Sequence, residues 1–287
     1  MWRLCRMPEG SLMDEIMPEP FYLPEDEKER SRGLYKEAFP EDTEKFVDFY
    51  YTCKARDNQI LALEQDGELV SMVHLNPYTM IVNGFETPVN YIVAVATGKE
   101  YRHRGYMRLL LVRALQDMAA RNMPFTFLMP ASERIYAPFD FVWICPYTEL
   151  SPRVERMDAA DQNRYLAARY QMFCKRDAVY LENLAAEKRA EEGEMPSGKM
   201  PPYMARITDV SQMLRMVNTR QAQKLYLKIH DPIIQKNDGW FCWEAAPDLS
   251  KAEKLAQPPE RTDLELTVGE LASMVFGEFR ICLSEIV

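Results

Sequence analysis

The chain has 287 residues, of which 35 are basic and 44 acidic; its net charge is −9, and 47% of its residues are hydrophobic. This length and composition are typical of a globular protein with one large domain or two. The acidic balance disfavours nucleic-acid partners, and no apolar run approaches the ~20 residues needed to cross a bilayer, so no membrane partner is expected either.

The N-terminal part of the chain predicts helices followed by paired strands. A helix is predicted over residues 29–39, because Pro40 disfavours helix at the residue before it, and a second over residues 43–51. Asp66-Gly67 and Asn83-Gly84 each separate two apolar runs, which indicates two tight hairpins. The predicted strands are residues 59–64, 69–75, 79–82 and 87 onward, with the β-branched run 89–97 expected at the centre of a sheet.

An amphipathic helix is predicted next, over residues 107–122. Its apolar residues recur at the spacing of one buried helix face: Met107, Leu110, Leu111, Ala114, Leu115, Met118 and Ala119. Residues 125–129 and 139–145 are expected to form two further buried strands.

A change of composition at about residue 151 indicates a boundary. Residues 158–192 are rich in Ala, Glu, Arg and Lys, which favours helices, and the proline- and glycine-containing run 193–202 is typical of a linker. The elements predicted after it are a segment 203–210, a helix near 211–217, strands 224–229, 240–245 and 263–267, and a helix 268–276.

The cysteines and histidines form no cluster. A zinc site needs about four converging ligands at short spacings, so no metal site is expected. The cysteines are interpreted as reduced, mostly buried thiols of a cytoplasmic protein, and the start of the chain lacks the apolar stretch of a signal peptide. These residues are Cys5, Cys53, Cys145, Cys174, Cys242, Cys282, His74, His103 and His230.

One short loop combines positive charge with a glycine and opens the helix predicted at 107–122. Arg102, Arg104 and Gly105 stand between a buried strand and that helix. A helix N-terminus offers unpaired N–H groups and a partial positive charge, which suits a pyrophosphate, and glycine lets the backbone approach an anion closely. Residues 97–121 hold six basic and two acidic side chains, a local charge of about +4 in an acidic chain. A charged, solvated loop before a surface helix is the alternative.

The sequence resembles a known family at this loop. Arg102-His-Arg-Gly105-Tyr-Met is similar to the Arg/Gln-x-x-Gly-x-Gly/Ala acetyl-CoA loop of the GNAT acetyltransferase superfamily, and Met107 is the one departure. The block resembles the Eis-like branch in particular, as does Pro130-Ala-Ser-Glu-Arg-Ile-Tyr-Ala-Pro-Phe-Asp-Phe141. Residues 203–210 and 262–277 resemble that branch's C-terminal domain, which has a sterol-carrier-protein-like fold.

The resemblance implies a fold class and a domain organisation. It implies an α/β GNAT fold, with a mixed, mostly antiparallel sheet flanked by helices, followed by a smaller α/β sterol-carrier-like domain. The expected boundaries are 1–150 for the acetyl-CoA-binding domain, 151–202 for a helical connecting segment that is a shortened central unit, and 203–287 for the C-terminal domain. Relatives form hexamers, so a homo-oligomer is expected, with a dimer or trimer as plausible as a hexamer.

The resemblance also implies residues for acetyl-CoA. The pantetheine arm pairs with the backbone of the strand before the loop, and the pyrophosphate lies on the N–H groups of residues 103–108. Two further residues match the opposite wall of the opening. The residues concerned are Val95, Thr97, Arg102, His103, Arg104, Gly105, Tyr106, Met107, Arg108, Ser132 and Glu133. Core packing for Val95 and a solvated charge for Arg102 remain alternatives.

The reaction implied is direct acetyl transfer to a primary amine of an aminoglycoside, polyamine or lysine-like substrate, either a small molecule or a peptide. Tyr136 matches the family's general acid, and a phenol with a pKa near ~10 is protonated at neutral pH. The C-terminal carboxylate of Val287 matches the family's base, although relatives usually end in an aromatic residue. Glu133 and Glu285 are candidates for attracting a cationic amine.

Other interpretations stay open. Tyr136 could be a core tyrosine, and Val287 a packed or frayed terminus. A non-catalytic protein that binds acyl-CoA or an apolar ligand is the alternative function.

Overall fold

A computed structural model describes residues 17–191 and 200–286, which build one large and one small β-sheet with helices against them. The strands are β1 (Phe21–Tyr22), β2 (Gln59–Gln65), β3 (Glu68–Val82), β4 (Phe85–Thr97), β5 (Phe125–Leu128), β6 (Val142–Cys145), β7 (Met172–Cys174), β8 (Tyr203–Ile207), β9 (Gln223–His230), β10 (Gly239–Ala245), β11 (Lys251–Leu255), β12 (Leu264–Thr267) and β13 (Ile281–Cys282).

Ten α-helices are assigned within these residues. They are α1 (Arg32–Ala38), α2 (Glu44–Phe49), α3 (Ala55–Asp57), α4 (Tyr106–Ala120), α5 (Glu133–Tyr136), α6 (Pro152–Glu155), α7 (Ala159–Ala167), α8 (Ala178–Glu191), α9 (Val210–Arg215) and α10 (Val268–Gly277). A π-helix (Tyr50–Lys54) joins α2 to α3, and short 3-10 helices cover Glu25–Ser31, Lys99–Tyr101 and Ala137–Phe139. No helix of the described residues is both long and apolar enough to cross a membrane.

The two predicted hairpins are confirmed and form the centre of the large sheet. Strands β2, β3 and β4 run antiparallel to one another, and the turns lie at Asp66-Gly67 and Asn83-Gly84. All four turn residues have positive φ, with 47° at Asn83 and 84° at Gly84. Two successive left-handed residues match the twist of the paired strands, which is why Asn-Gly and Asp-Gly favour this turn.

The predicted amphipathic helix is α4, which begins one residue earlier and ends two residues earlier than expected. Its inward face is buried against β2, β3 and β4 through Leu110, Leu111, Ala114, Leu115, Met118 and Ala119. On the opposite side of the sheet lie α1, α2 and the π-helix, so helices flank both faces as predicted.

Strand β8 lies in the large sheet, although residues 203–210 resemble the C-terminal domain and were predicted to belong to it. It runs antiparallel between β5 and β6, with Phe125 opposite Ile207. All five residues of β8 are buried. A strand with no exposed residue requires cover on both faces and a partner on both edges, which an interior position in the large sheet provides.

The connecting segment 151–202 holds the helices α6, α7 and α8 and also a strand where only helices were predicted. This strand, β7, pairs antiparallel with the end of β3 and parallel with β13, the last strand of the chain. The middle of the segment is thereby part of the large sheet, and residues 192–199 of the predicted linker lie outside the described residues.

The small sheet has the order β11-β10-β9-β12 and packs with α9 and α10. Thr267 and Glu270 form a capping box at the start of α10, which fixes where that helix begins. Helix α10 also packs on β6 and β8, and Phe276 meets Phe125 edge to face at 5.5 Å. The hydrophobic core is therefore continuous between the two sheets.

The cysteines of the described residues are free thiols, as predicted. They are Cys53, Cys145, Cys174, Cys242 and Cys282, and Cys5 lies outside the described residues. Burial raises the pKa of Cys145 to about 12 and that of Cys282 to about 11, so these two thiols stay protonated and unreactive at neutral pH.

Candidate active site

The glycine loop connects β4 to α4 through two left-handed residues. His103 has a φ of 65° and Gly105, the residue that caps α4, a φ of 84°. A Cβ added at Gly105 would meet no atom within 4 Å, so the glycine is required for its backbone conformation and not for space. This conformation turns the loop back onto the start of α4.

The start of α4 presents N–H groups to the outside. Its first backbone bond runs from the Leu109 N–H to the Gly105 carbonyl at 3.1 Å. The N–H groups of residues 106–108 therefore have no acceptor within the helix, and the helix dipole adds partial positive charge at the same place. This terminus can bind an anionic group such as a phosphate.

Three arginines surround this helix terminus and are exposed. The Arg102 Nε donates to the Thr97 carbonyl at 3.1 Å, and Arg104 donates to the Glu100 carbonyl at 3.2 Å. The Arg108 guanidinium lies 5.5 Å from the centre of the Phe139 ring. Carbonyls and ring faces orient these side chains without neutralising them, so their charges reinforce the anion site predicted from the sequence.

Strands β4 and β5 pair briefly and then separate. Their parallel pairing joins Asn90 to Thr126 and Tyr91 to Phe127. Beyond this point β4 carries a bulge, where the register with β3 shifts and Ala94 adopts a φ of 48°. A bulge bends its strand, so β4 departs from β5 and leaves its backbone after Tyr91 open on that side. An extended ligand can pair with such an edge.

The predicted pantetheine-binding residues lie along this open edge. Val95 is part of the bulge and half-buried, and Thr97 is the last residue of β4. The Thr97 hydroxyl lies 2.7 Å from the Ser71 hydroxyl on β3, so its side chain turns away from the opening. Only the backbone of Thr97 is then available to a ligand in the opening.

Ser132 and Glu133 lie at the start of α5 and are exposed. The Ser132 carbonyl accepts from the Ile135 N–H at 3.2 Å, which forms the first turn of this short helix. Their predicted role at the opposite wall of the opening stays a prediction.

Tyr136, at the end of α5, is 7% exposed. Its ring packs edge to face on Phe141 at 5.8 Å, and burial raises its pKa to about 12. The phenol is therefore protonated at neutral pH and able to donate a proton.

A buried arginine holds the segment that follows Tyr136. Arg206 on β8 donates to the Phe139 carbonyl at 2.7 Å and pairs with Asp231 at 2.7 Å, and both charged side chains are fully buried. Since Asp231 belongs to the C-terminal region, this pair ties the Tyr136 segment to both sheets.

The C-terminal tail runs into the large sheet, and Ile286 lies beside the bulge of β4. The Tyr203 hydroxyl donates to the Glu285 carbonyl at 2.5 Å, and the Tyr91 hydroxyl donates to the Ile286 carbonyl at 3.0 Å. Ile286 packs on the cluster that contains Ala94 and Ala96. Val287, with its predicted catalytic carboxylate, lies outside the described residues.

A buried ion pair anchors this tail. Arg176 lies 2.6 Å from the Glu285 carboxylate, which also accepts from the Tyr180 hydroxyl at 2.6 Å. Desolvation opposes ionisation of Glu285, but Arg176, Tyr180 and the Ser284 N–H outweigh it and hold the pKa of this carboxyl below its usual range. Glu285 thus positions the tail, and its predicted role in attracting a cationic amine stays a prediction.

Sequence reasoning missed Arg176 because it stands in a charged stretch without a motif, between Lys175 and Asp177. The signal that could have indicated it is its place directly after the short apolar run 172–174. No group of three or more potential metal ligands occurs among residues 17–191 and 200–286.

Comparisons with known proteins agree with this geometry. Residues 21–144 match the family described as the acetyltransferase (GNAT) domain, and residues 210–282 match the sterol carrier protein domain. The second match begins after β8, in agreement with the place of that strand in the large sheet. A comparison with curated proteins gives no match.

Three solved structures share the fold over most of the chain. Eis1 from Mycobacterium abscessus is 14% identical with a TM-score of 0.63, over 90% of this chain and 89% of that one. A probable N-acyltransferase from Enterococcus faecalis V583 is 14% identical with a TM-score of 0.62, over 87% of both chains. A GCN5-related N-acetyltransferase from Anabaena variabilis is 12% identical with a TM-score of 0.62, over 90% of both chains. The predicted fold class and resemblance are confirmed.

Proposed function

We propose that this acetyltransferase, in which a GNAT domain precedes a sterol carrier protein domain, moves an acetyl group from acetyl-CoA directly to a primary amine. The observation that carries the proposal is the opening between β4 and β5. It has an anion-binding helix terminus at one end and lies beside the C-terminal tail.

The residues of the opening fit acetyl-CoA. The N–H groups of residues 103–108 and the charges of Arg102, Arg104 and Arg108 would hold the pyrophosphate. The open backbone of Val95 and Thr97 would pair with the pantetheine arm. Acetyl-CoA supplies the thioester that the amine attacks, and its thiol is the leaving group.

Two groups of the chain would handle the protons. Tyr136 would give its phenolic proton to the departing thiolate, which its raised pKa permits because the phenol is fully protonated at neutral pH. The carboxylate of Val287 would accept a proton from the incoming ammonium. A free α-carboxyl has a pKa near ~3.5, so it is a weak base and works best through a water molecule or by holding the ammonium in place.

The first test replaces Tyr136 with phenylalanine. We expect kcat to fall at least tenfold, because general acid catalysis typically contributes ~100-fold or more. The Kd for acetyl-CoA should stay unchanged. Tyr226→Phe removes a hydroxyl from the small sheet and is the matched control. Thiol release over a panel of amines measures kcat, and calorimetry measures Kd; an unchanged kcat would remove Tyr136 from the mechanism.

The second test extends the chain by a few residues after Val287. If the terminal carboxylate accepts the proton, the extension lowers kcat without changing acetyl-CoA affinity, and unchanged rates would exclude that role. Binding of acetyl-CoA without thiol release from any amine would favour the alternative of a non-catalytic binding protein. A saturating ligand at ~100 times its Kd stabilises a protein by about 2.7 kcal/mol, so a thermal shift detects binding even without turnover.

Two expectations remain predictions from the sequence: a cytoplasmic location and a homo-oligomer. Light scattering on the purified protein measures its oligomeric state.

A further inference from the structure

The chain reverses its direction directly after Tyr136, in a turn that covers residues 137–141 and leads into β6. The Asp140 N–H donates to the Ala137 carbonyl at 3.0 Å, and the Phe141 N–H donates to the Tyr136 carbonyl at 3.4 Å. Asp140 adopts a φ of 61°. This conformation costs energy for residues other than glycine, and it persists where contacts around the residue hold it. The place of Tyr136 therefore depends on what holds the turn 137–141.

Arg206 on β8 holds this turn by its backbone. The Arg206 Nε donates to the Phe139 carbonyl at 2.7 Å, Nη1 to the Ile207 carbonyl at 2.8 Å and Nη2 to the Asp231 carboxylate at 2.7 Å. Asp231 in turn accepts from the N–H groups of residues 233 and 234, each at 2.9 Å. The guanidinium is fully buried and bonded at all three nitrogens, so the Phe139 carbonyl is fixed relative to Asp231.

Helix α10 holds the same turn by its side. Gly269 is the second residue of α10, and a Cβ added to it would lie 3.1 Å from the Asp140 Oδ1 and 3.4 Å from the Asp140 Cβ. A glycine at this position lets the helix approach Asp140 closely, and any larger residue has to displace the turn or the helix.

Both contacts join the turn to the C-terminal domain. Tyr136 lies within the range matched by the GNAT domain, 21–144, whereas Asp231 and Gly269 lie within the range matched by the sterol carrier protein domain, 210–282. Arg206 lies between the two ranges and bonds to both sides. The segment that carries Tyr136 is thus held by residues outside its own domain.

We infer that the sterol carrier protein domain positions the general acid of the GNAT domain, with Arg206 as the positioning residue. The inference rests on the proposed function of Tyr136. Arg206, Asp231 and Gly269 act through the turn 137–141. A displacement of about 1 Å at a catalytic group can lower a rate ~100-fold, so a small movement of this turn lowers kcat. Acetyl-CoA, bound by the glycine loop, keeps its affinity.

The first test changes Gly269, because this substitution leaves every buried charge paired. Gly269→Val adds three carbons that press on Asp140. Gly277→Val is the matched control on the same helix, since a Cβ at Gly277 would meet no atom within 4 Å. We expect Gly269→Val to lower kcat about tenfold with an unchanged Kd for acetyl-CoA, and Gly277→Val to change neither. Equal kcat values in the two variants would overturn the inference.

A double-mutant cycle separates positioning of Tyr136 from a general loosening of the fold. If Gly269→Val acts through Tyr136, it lowers kcat no further in a protein that already carries Tyr136→Phe. The same tenfold fall in both backgrounds would show that the contact acts independently of Tyr136, and would overturn the inference.

The second test replaces Arg206 with lysine, which keeps a positive charge beside Asp231 but offers one nitrogen in place of three. We expect hydrogen exchange at the N–H groups of residues 140 and 141 to become about tenfold faster, equivalent to about 1.4 kcal/mol of local stability. Trp243→Phe is the matched control: Trp243 is 4% exposed and donates to the Leu214 carbonyl at 3.1 Å, so its loss also removes a buried bond to a carbonyl. It should leave exchange at residues 140 and 141 unchanged.

Hydrogen exchange needs no turnover, so the two proposals can fail separately. If the wild-type protein acetylates no amine, the proposed function fails. If Arg206→Lys exchanges at residues 140 and 141 as slowly as the wild type, Arg206 does not hold the turn, and the inference fails whatever the activity. Gly269→Val keeps the test available if Arg206→Lys does not fold.

Discussion

Replacing Arg176 with methionine is expected to release the C-terminal tail from the large sheet. In the wild-type protein the Arg176 guanidinium contacts the Glu285 carboxylate at 2.6 Å and the Ser284 hydroxyl at 2.9 Å. Both charged side chains are 1% exposed. Without the arginine, Glu285 keeps its place only as an unpaired buried carboxylate or as a protonated acid.

The magnitude follows from this burial. Removing one partner of a buried ion pair costs about 3–5 kcal/mol, because the other charge is left without water or counter-charge. For a domain of this size about 1 kcal/mol lowers the Tm by roughly 2–4 °C, so a drop of roughly 10 °C is expected. The double variant Arg176→Met with Glu285→Leu should recover most of the loss, since an apolar pair of similar volume is often neutral.

The assay is thermal unfolding of the two single variants and the double variant, together with kcat in the amine assay. Lys175→Met is the matched control: Lys175 pairs with Glu86 at 2.8 Å, but the two side chains are 37% and 55% exposed, and such surface pairs contribute about 0–1 kcal/mol. We expect Arg176→Met to lower kcat as well, with the Kd for acetyl-CoA unchanged, because Ile286 of the tail packs beside the bulge of β4, next to the proposed transfer site.

The dependence on pH gives a second readout. The pKa of Glu285 is lowered in the folded protein, so the pair stabilises the fold above the unfolded pKa of about 4.3, and this stability is lost as the pH falls through the folded value. In Arg176→Met the pKa of Glu285 should rise. The difference in the free energy of unfolding between this variant and the wild type should therefore become smaller as the pH is lowered. The reasoning is refuted if Arg176→Met loses no more stability than Lys175→Met, or if the double variant is as unstable as the single.

The remaining predictions concern a buried histidine and the glycine of the loop. Burial, and to a smaller extent Lys28, lowers the pKa of His74 to about 3 in the folded protein. Between this value and the unfolded pKa of about 6.5, the unfolded chain binds one proton more than the folded chain. The free energy of unfolding therefore falls by about 1.4 kcal/mol for each unit by which the pH is lowered in this range. His74→Gln should reduce this slope in urea unfolding at several pH values, and an unaltered slope would contradict the assignment. Gly105→Ala forces alanine to a φ of 84°, which costs about 1–2 kcal/mol, and calorimetry should show acetyl-CoA bound about tenfold more weakly. Gly84 has the same φ in a hairpin, so Gly84→Ala should lower stability without changing acetyl-CoA affinity. Equal acetyl-CoA affinity in wild type and Gly105→Ala would exclude the loop from the acetyl-CoA site.

The parts of the fold that were predicted correctly depend on local signals. Asn83-Gly84 marks a turn because of the φ angles that these two residues adopt, and the apolar spacing of α4 marks its buried face, whatever the rest of the chain does. The loop to which we assign acetyl-CoA has a local signal of the same kind, since a strand, a glycine and a helix start are contiguous, and its role stays a proposal. Tyr136 was found through a motif, and only the structure shows the burial that raises its pKa.

The parts that were missed depend on partners distant in the chain. Strand β8 had no local feature that told which sheet it would join, and its neighbours β5 and β6 precede it by more than fifty residues. Arg176 and Glu285 are 109 residues apart, and neither has a signature by itself.

Local backbone preference and hydrophobic periodicity thus specify the hairpins, the helix and the anion-binding loop, because each of these is completed within a few residues of sequence. The opening between β4 and β5 and the anchored tail arise only when the sheet forms. Their energies come from burial and from charges brought together across the whole chain, and no short segment contains both members of those contacts.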